Sequence, residues 1–369
     1  MCHFRIRVHY WITAAALTVL AACSGGGGGG TAGGTTFTAT PLQPVVGSTF
    51  SVAAALNAGN EAVGMSNGDP AAPLTFKAVA WTMITTNATT TSAVTSLAVP
   101  AGSGSYSAAY GNNNSGAIVG ELEESAGGAI VAAYWPNRAA TPGQVVLLQQ
   151  GTAPQGAAYG INTSGRMVGE LNDGAASSAV TWSGPLVAPV TLPAAAGQLD
   201  ATAFFINDAG EIVGELTDAT GIHAALWRPN VAGAYVDVPL LLPASTELSG
   251  DSSALAINTN GVIVGEATDT SGNVHATRWT PGPSNVYTLA DLGATDGGSS
   301  AVGINDSGRT VGHAFATANA TPTARTWAAG SSAGTALDAA LGSSQAYAIN
   351  ATNRVVGMSG TQAFVAVPR

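Results

Sequence analysis

Four glutamates occupy one recurring position: Glu121, Glu170, Glu215 and Glu266 each directly follow a Val-Gly pair. Carboxylates repeated at one place in a repeat protein can ligate a cation, accept from sugar hydroxyls, or act in pairs as general acid and base. Two histidines, His223 and His275, stand a loop further on from Glu215 and Glu266, so a cation or sugar site lined by Glu and His is one reading. The other is a surface position inherited by duplication, with each Glu bonded to its own local turn. In the remaining copies the same position holds Met65, His313 and Met358. The loops Thr217-Asp218-Ala219-Thr220-Gly221 and Thr268-Asp269-Thr270-Ser271-Gly272-Asn273 carry oxygens suited to Ca²⁺, at a lower ligand density than a dedicated calcium loop. Gly330-Ser331-Ser332-Ala333-Gly334 matches a nucleophile elbow in letters only, because no strand-to-helix context surrounds it. Three histidines and one cysteine beyond residue 22 make neither a Cys-rich zinc site nor a catalytic triad.

The elements that position these carboxylates are hairpins. The fullest copy is Gly303-Ile304-Asn305-Asp306-Ser307-Gly308-Arg309-Thr310-Val311-Gly312, and close copies run over 160–169, 205–214 and 256–265. An alternating apolar run enters Ile-Asn, four residues turn, and a second run leaves through Val-Gly, which is a β-hairpin pattern. The Asn bonds backbone two residues on, and the Gly supplies the positive φ of a type I turn with a G1 bulge. Asn60 and Asn353 replace that Gly in two copies, and Asn is the next-best left-handed residue.

The last Gly of each hairpin recurs at Gly64, Gly120, Gly169, Gly214, Gly265, Gly312 and Gly357, at intervals of 45 to 56 residues. Trp81, Trp135, Trp182, Trp227, Trp279 and Trp327 follow 13 to 17 residues later, each with Ala three positions before it. The seventh copy keeps Ala363 but has Ala366 where the Trp would stand. A further short run after each Trp makes four strands, A to D, in every repeat. That length and strand count match a propeller blade. The seventh copy ends after strand C, and the missing strand is present at the other end as 36–42. The expectation is an all-β, seven-bladed β-propeller of four-stranded blades, closed by an N-terminal strand that completes the last blade and removes two exposed edges.

These residues resemble the HAF-family probable extracellular repeats. The match is carried by Asp291-Leu292-Gly293 with Gly303-Ile304-Asn305-Asp306-Ser307-Gly308, and by His223-Ala224-Ala225-Leu226-Trp227. It covers roughly 50–369. The literal His313-Ala314-Phe315 falls in strand B, whereas the family's His-Ala-Phe segment aligns with Thr323-Ala324-Arg325. The resemblance implies an exported repeat protein of undefined activity.

Arg5 and Arg7 precede an apolar run from Trp11 to Leu20, which is too short to span a bilayer and suits a signal peptide. Leu20-Ala21-Ala22-Cys23 resembles a bacterial lipobox, so 1–22 reads as signal peptide, Cys23 as the lipidated residue, 23–35 as a glycine-rich tether and 36–369 as the repeat domain. Acyl chains on Cys23 would anchor the protein, and Ser24 at the next position suits delivery to the outer membrane. Processing removes two of 11 basic residues and none of 21 acids, giving 9 − 21 = −12 with Lys77 the sole lysine. Such a surface disfavours nucleic acid and anionic lipid, leaving the lipid anchor as the membrane contact. The expected function is a monomeric, non-enzymatic surface scaffold that binds a glycan or a protein. The alternatives are a carbohydrate-active glycosidase or lyase using the Glu arc, and a structural envelope component. No cofactor is expected beyond the Ca²⁺ considered above.

Overall fold

The computed structural model describes residues 35–67, 75–86, 89–137, 143–237, 239–293, 297–317 and 320–369. Residues 1–34, which include the expected signal peptide, Cys23 and most of the expected tether, lie outside them. Seven four-stranded antiparallel sheets are present, each in the order A-B-C-D. Blade 3 is typical, with strands at Gln155–Ile161, Met167–Asn172, Ser177–Trp182 and Val190–Thr191. Each A strand touches the A strands of both neighbouring blades, so the seven ring one central axis. This is a seven-bladed β-propeller, and no α-helix occurs among the described residues.

The seventh blade is built from both ends of the chain. Its strands Ser344–Ile349, Val355–Ser359 and Gln362–Pro368 are completed by Phe37–Pro41, which pairs antiparallel with Phe364–Pro368. Outer strands elsewhere are mostly short, two residues in blades 2 to 4, which leaves little free edge for another chain.

The hairpin consensus is explained atom by atom. Asn60 and Asn353 hold φ of 62° and 60°, matching Gly165 at 82° in the same turn position. The Val-Gly glycine has a separate cause. Every A strand carries a β-bulge opposite it, which drives the carbonyl of residues such as Ala157 over the glycine. A Cβ on any of these seven glycines would lie 1.9–2.0 Å from that oxygen, so no larger residue fits.

Three repeated contacts join the blades. Each of the six Trp rings is fully buried, and its Nε1 donates over 2.6–3.0 Å to a carbonyl just beyond the outer strand of the preceding blade. The backbone N–H of Ala78, Ala224, Ala276, Ala324 and Ala363 donates to a serine that opens or immediately precedes the next A strand, at 2.9–3.1 Å. The Ala363 bond reaches Ser51 and so crosses the ring closure.

The third contact is a closed circle of asparagines. Asn57 Nδ2 donates to the Asn113 carbonyl, Asn113 to Asn162, Asn162 to Asn207, Asn207 to Asn258, Asn258 to Asn305, Asn305 to Asn350, and Asn350 back to Asn57, at 2.9–3.2 Å. Each Oδ1 also accepts the N–H four residues on, at 2.8–3.1 Å. All seven are buried. The residue expected to shape its own turn therefore also links the blades, and both halves of its amide are used.

Candidate functional site on the propeller axis

The four glutamates lie on one circle, toward the end of the ring that carries the B–C hairpins. They are interior: Glu121, Glu215 and Glu266 are buried and Glu170 half-buried. Glu121 Oε1 accepts from the hydroxyls of Tyr106 and Tyr110, both at 2.8 Å. Glu170 accepts from Tyr159 at 3.0 Å and from Thr202 of the next blade at 2.8 Å. Glu215 accepts from Ser253, again one blade on. A buried carboxylate needs such donors, and here they come from A strands or, for Tyr106, from the residue just before one, where a bond to the blade's own turn was the expected alternative. Met65, His313 and Met358 complete the circle and are also buried.

The histidines do not join the arc. Strand pairing sets Glu215 opposite Ala224 and Glu266 opposite Ala276, so His223 and His275 are one residue out of step and project to the other face. His223 Nε2 contacts Asp218 at 3.2 Å and Thr220 at 2.9 Å. His275 Nδ1 lies 2.9 Å from Asp291 and its Nε2 lies 3.4 Å from Asp269. In the loops considered for Ca²⁺, Asp218 Oδ1 accepts from Thr220, while Asp269 accepts from the backbone of Ser271 and Asn273. The Thr220 hydroxyl bond, first among the causes, draws the Asp218 carboxyl down to about 2. The Asn273 side chain does the same for Asp269, also to about 2. No group of three His, Cys, Asp or Glu side chains among the described residues is arranged to hold a metal ion.

A cavity of about 260 Å³ lies on the axis, lined by A-strand residues of all seven blades beside the A–B hairpins. It is organised by the bulges. The bulged residues are Ala54, Tyr110, Tyr159, Phe204, Leu255, Val302 and Tyr347, each three positions before the ring asparagine. All seven line the cavity. The hairpin framework is nearly constant from blade to blade, but this position runs from methyl to phenol. That variation is a signal in the chain itself, and it escapes notice when repeats are compared for what they share. One residue on, six blades have Gly or Ala and blade 4 has Phe205, which is 39% exposed.

Toward the B–C end the axis is filled. Phe50, Met65, Tyr110, Tyr159, Tyr347 and Met358 form one buried cluster, with Phe76 and Tyr106 packed on it. Burial first, and then the Glu121 charge, pushes the Tyr106 and Tyr110 phenols well above their ordinary range. Burial and then Glu170 do the same for Tyr159. These phenols stay protonated and remain donors to the carboxylates. Burial holds His313 down to about 4, so it is neutral at pH 7.

No known family model matches the sequence, and no curated relative matches it. Among solved structures the chain is similar to streptogramin B lyase, with a TM-score of 0.51 at 9% identity, covering 90% of this chain and 98% of that one. It is also similar to the extracellular domain of a putative one-component system from B. thetaiotaomicron, with a TM-score of 0.52 at 6% identity, covering 89% of this chain and 39% of that longer one. A gluconolactonase from Xanthomonas campestris matches at a TM-score of 0.39 and 12% identity, over 69% of this chain and 82% of that one. For the first two, at these identities, the likeness is one of fold, the β-propeller.

Proposed function

We propose that this protein is an exported, lipid-anchored propeller that binds a glycan or protein partner without chemical turnover. The supporting observation is how the side chains are used. Glu121, Glu170 and Glu215 accept hydroxyls in the interior, and His223 and His275 are tied to aspartates of their own blades. The variable side chains gather instead around the axial cavity and its Phe205 rim. Export and anchoring rest on the lipobox at Cys23 and on the resemblance to HAF-family extracellular repeats.

The test uses the domain from residue 24 onward, immobilised and exposed to envelope glycans and surface-protein extracts. Saturable retention that Phe205→Ser weakens, with no polysaccharide turnover, is the expected outcome. Turnover abolished by Glu170→Gln or Glu215→Gln would overturn the reading in favour of a carbohydrate-active enzyme. In cells, Cys23→Ser should leave the precursor unprocessed or release it from the membrane fraction.

A further inference from the structure

The axial cavity has an electrostatic character beyond its apolar lining. Along blades 2 to 4 its wall is aromatic: the Tyr110 and Tyr159 ring centroids are 5.5 Å apart at 50°, and Tyr159 and Phe204 are 6.1 Å apart at 57°. Behind the two phenols, away from the mouth, stand carboxylates that accept their hydroxyl protons, Glu121 at 2.8 Å and Glu170 at 3.0 Å. A phenol that donates to a carboxylate gains ring electron density, which strengthens the negative potential over its face. Among the described residues, no Lys, Arg or His side chain lines the cavity. Its one amide side chain among the described residues is Asn112, which spends Nδ2 on the Glu61 carbonyl at 2.8 Å and keeps Oδ1 as an acceptor with no hydrogen-bond partner there. Phe205 adds a further ring at the rim.

We propose that the axial cavity binds a small apolar organic cation, an alkylammonium whose charge lies against the Tyr110–Tyr159–Phe204 wall. This deepens the reading of the axial mouth as a binding surface and rests on it. A neutral molecule of the same shape gains only burial there, and an anion is opposed by the carboxylates behind the wall.

The experiment compares choline with dimethylbutanol, its uncharged carbon isostere, by calorimetry and by NMR of the aromatic side chains. Choline should bind roughly tenfold more tightly, a difference that a desolvated cation–π contact supplies. Phe205→Ser should weaken choline several-fold without changing the melting temperature, because that ring is exposed. Tyr159→Phe keeps the ring but removes its bond to Glu170, and should narrow the preference for choline over the isostere. Equal affinity for the two probes overturns the cation assignment and leaves the binding surface standing. Binding of neither probe at millimolar concentration also overturns it. Loss of all glycan and protein retention is a separate result and sinks the broader reading.

Discussion

Blade 3 and blade 7 have the same backbone and reach it differently. Blade 3 is one continuous stretch of chain, with Trp182 filling the slot against blade 2 and donating to the Gln149 carbonyl. Blade 7 takes its outer strand from the other end of the chain, and the corresponding residue is Ala366. Phe37, on the borrowed strand, enters the cluster around Ala366 together with Phe364 and Leu337. The closing blade therefore replaces an indole from strand C with a phenyl ring that arrives only when the ring shuts. At the axis, blades 1 and 7 present Met65 and Met358 where blades 2 to 5 present Glu. The asparagine circle ignores this seam, since the Asn350–Asn57 bond is like the other six. The asparagine circle repeats in all seven blades, while side-chain packing was rebuilt at the closure.

The largest effect that would test this contrast is loss of the borrowed strand. Deleting residues 35–43 opens the edge of Phe364–Pro368, removes buried Phe37 and Leu42, and takes away the Gln43 carbonyl that accepts from Trp81. The expected loss is comparable to the whole folding free energy, about 5–15 kcal/mol. Size-exclusion chromatography should show aggregation through the freed edge. A melting temperature close to the parent's would break the closed-ring account. The register sharpens it: Thr40 faces Val365 and Thr38 faces Val367. Cysteines at either pair should crosslink on oxidation, because bridged Cα atoms lie about 4.4–6.8 Å apart.

Next in size is the slot itself. Trp182→Ala should cost about 3–5 kcal/mol by denaturant unfolding. The mirror change, Ala366→Trp, restores the repeat consensus yet should destabilise by about 1–3 kcal/mol, because Phe37 already occupies the cluster. A stabilising Ala366→Trp would mean that the two slots are equivalent after all.

Acidification tests the axial position. His313 is buried, with a pKa held down to about 4 against an ordinary 6.5. The unfolded chain takes up this proton first as pH falls. Stability present above pH 6.5 is thus lost progressively toward pH 4, by at most about 3 kcal/mol. His313→Met installs the residue found at the same place in blades 1 and 7, and should flatten this part of the stability–pH curve. An unchanged slope would assign the effect to other groups.

The smallest contrast concerns the asparagines. Asn162→Ala and Asn350→Ala each remove a bond to the next blade and a turn acceptor, costing about 1–3 kcal/mol per unsatisfied group. The two losses should be equal, since the circle does not register the chain ends. A markedly larger loss at Asn350 would show that it does.

Much of the architecture is legible in the chain. Hairpin spacing gives seven units, Asn60 and Asn353 identify the left-handed turn position, and the strand at 36–42 signals closure. The pairing register is less legible: strand alternation leaves two-residue slips open, and it is the folded ring that sets Thr38 against Val367 and Thr40 against Val365. The glutamates show a split result. Their common circle follows from their spacing, but their burial does not, because both faces of a blade are covered and alternation alone leaves the donor unspecified. The donors Thr202 and Ser253 belong to the following blade, 32 and 38 residues further along the chain.

By itself the sequence determined what is local and periodic: the turn chirality, the four-strand unit, its count, and the glycine that a bulge requires. These depend on steric limits within a few residues, and such limits are written wherever the residues are. The tertiary structure decided which repeated groups meet. The asparagine circle, the Glu–hydroxyl pairs and the axial cavity exist only once seven units close around one axis. Equivalent positions distant in the chain become neighbours there, and seven dissimilar side chains come to share one space.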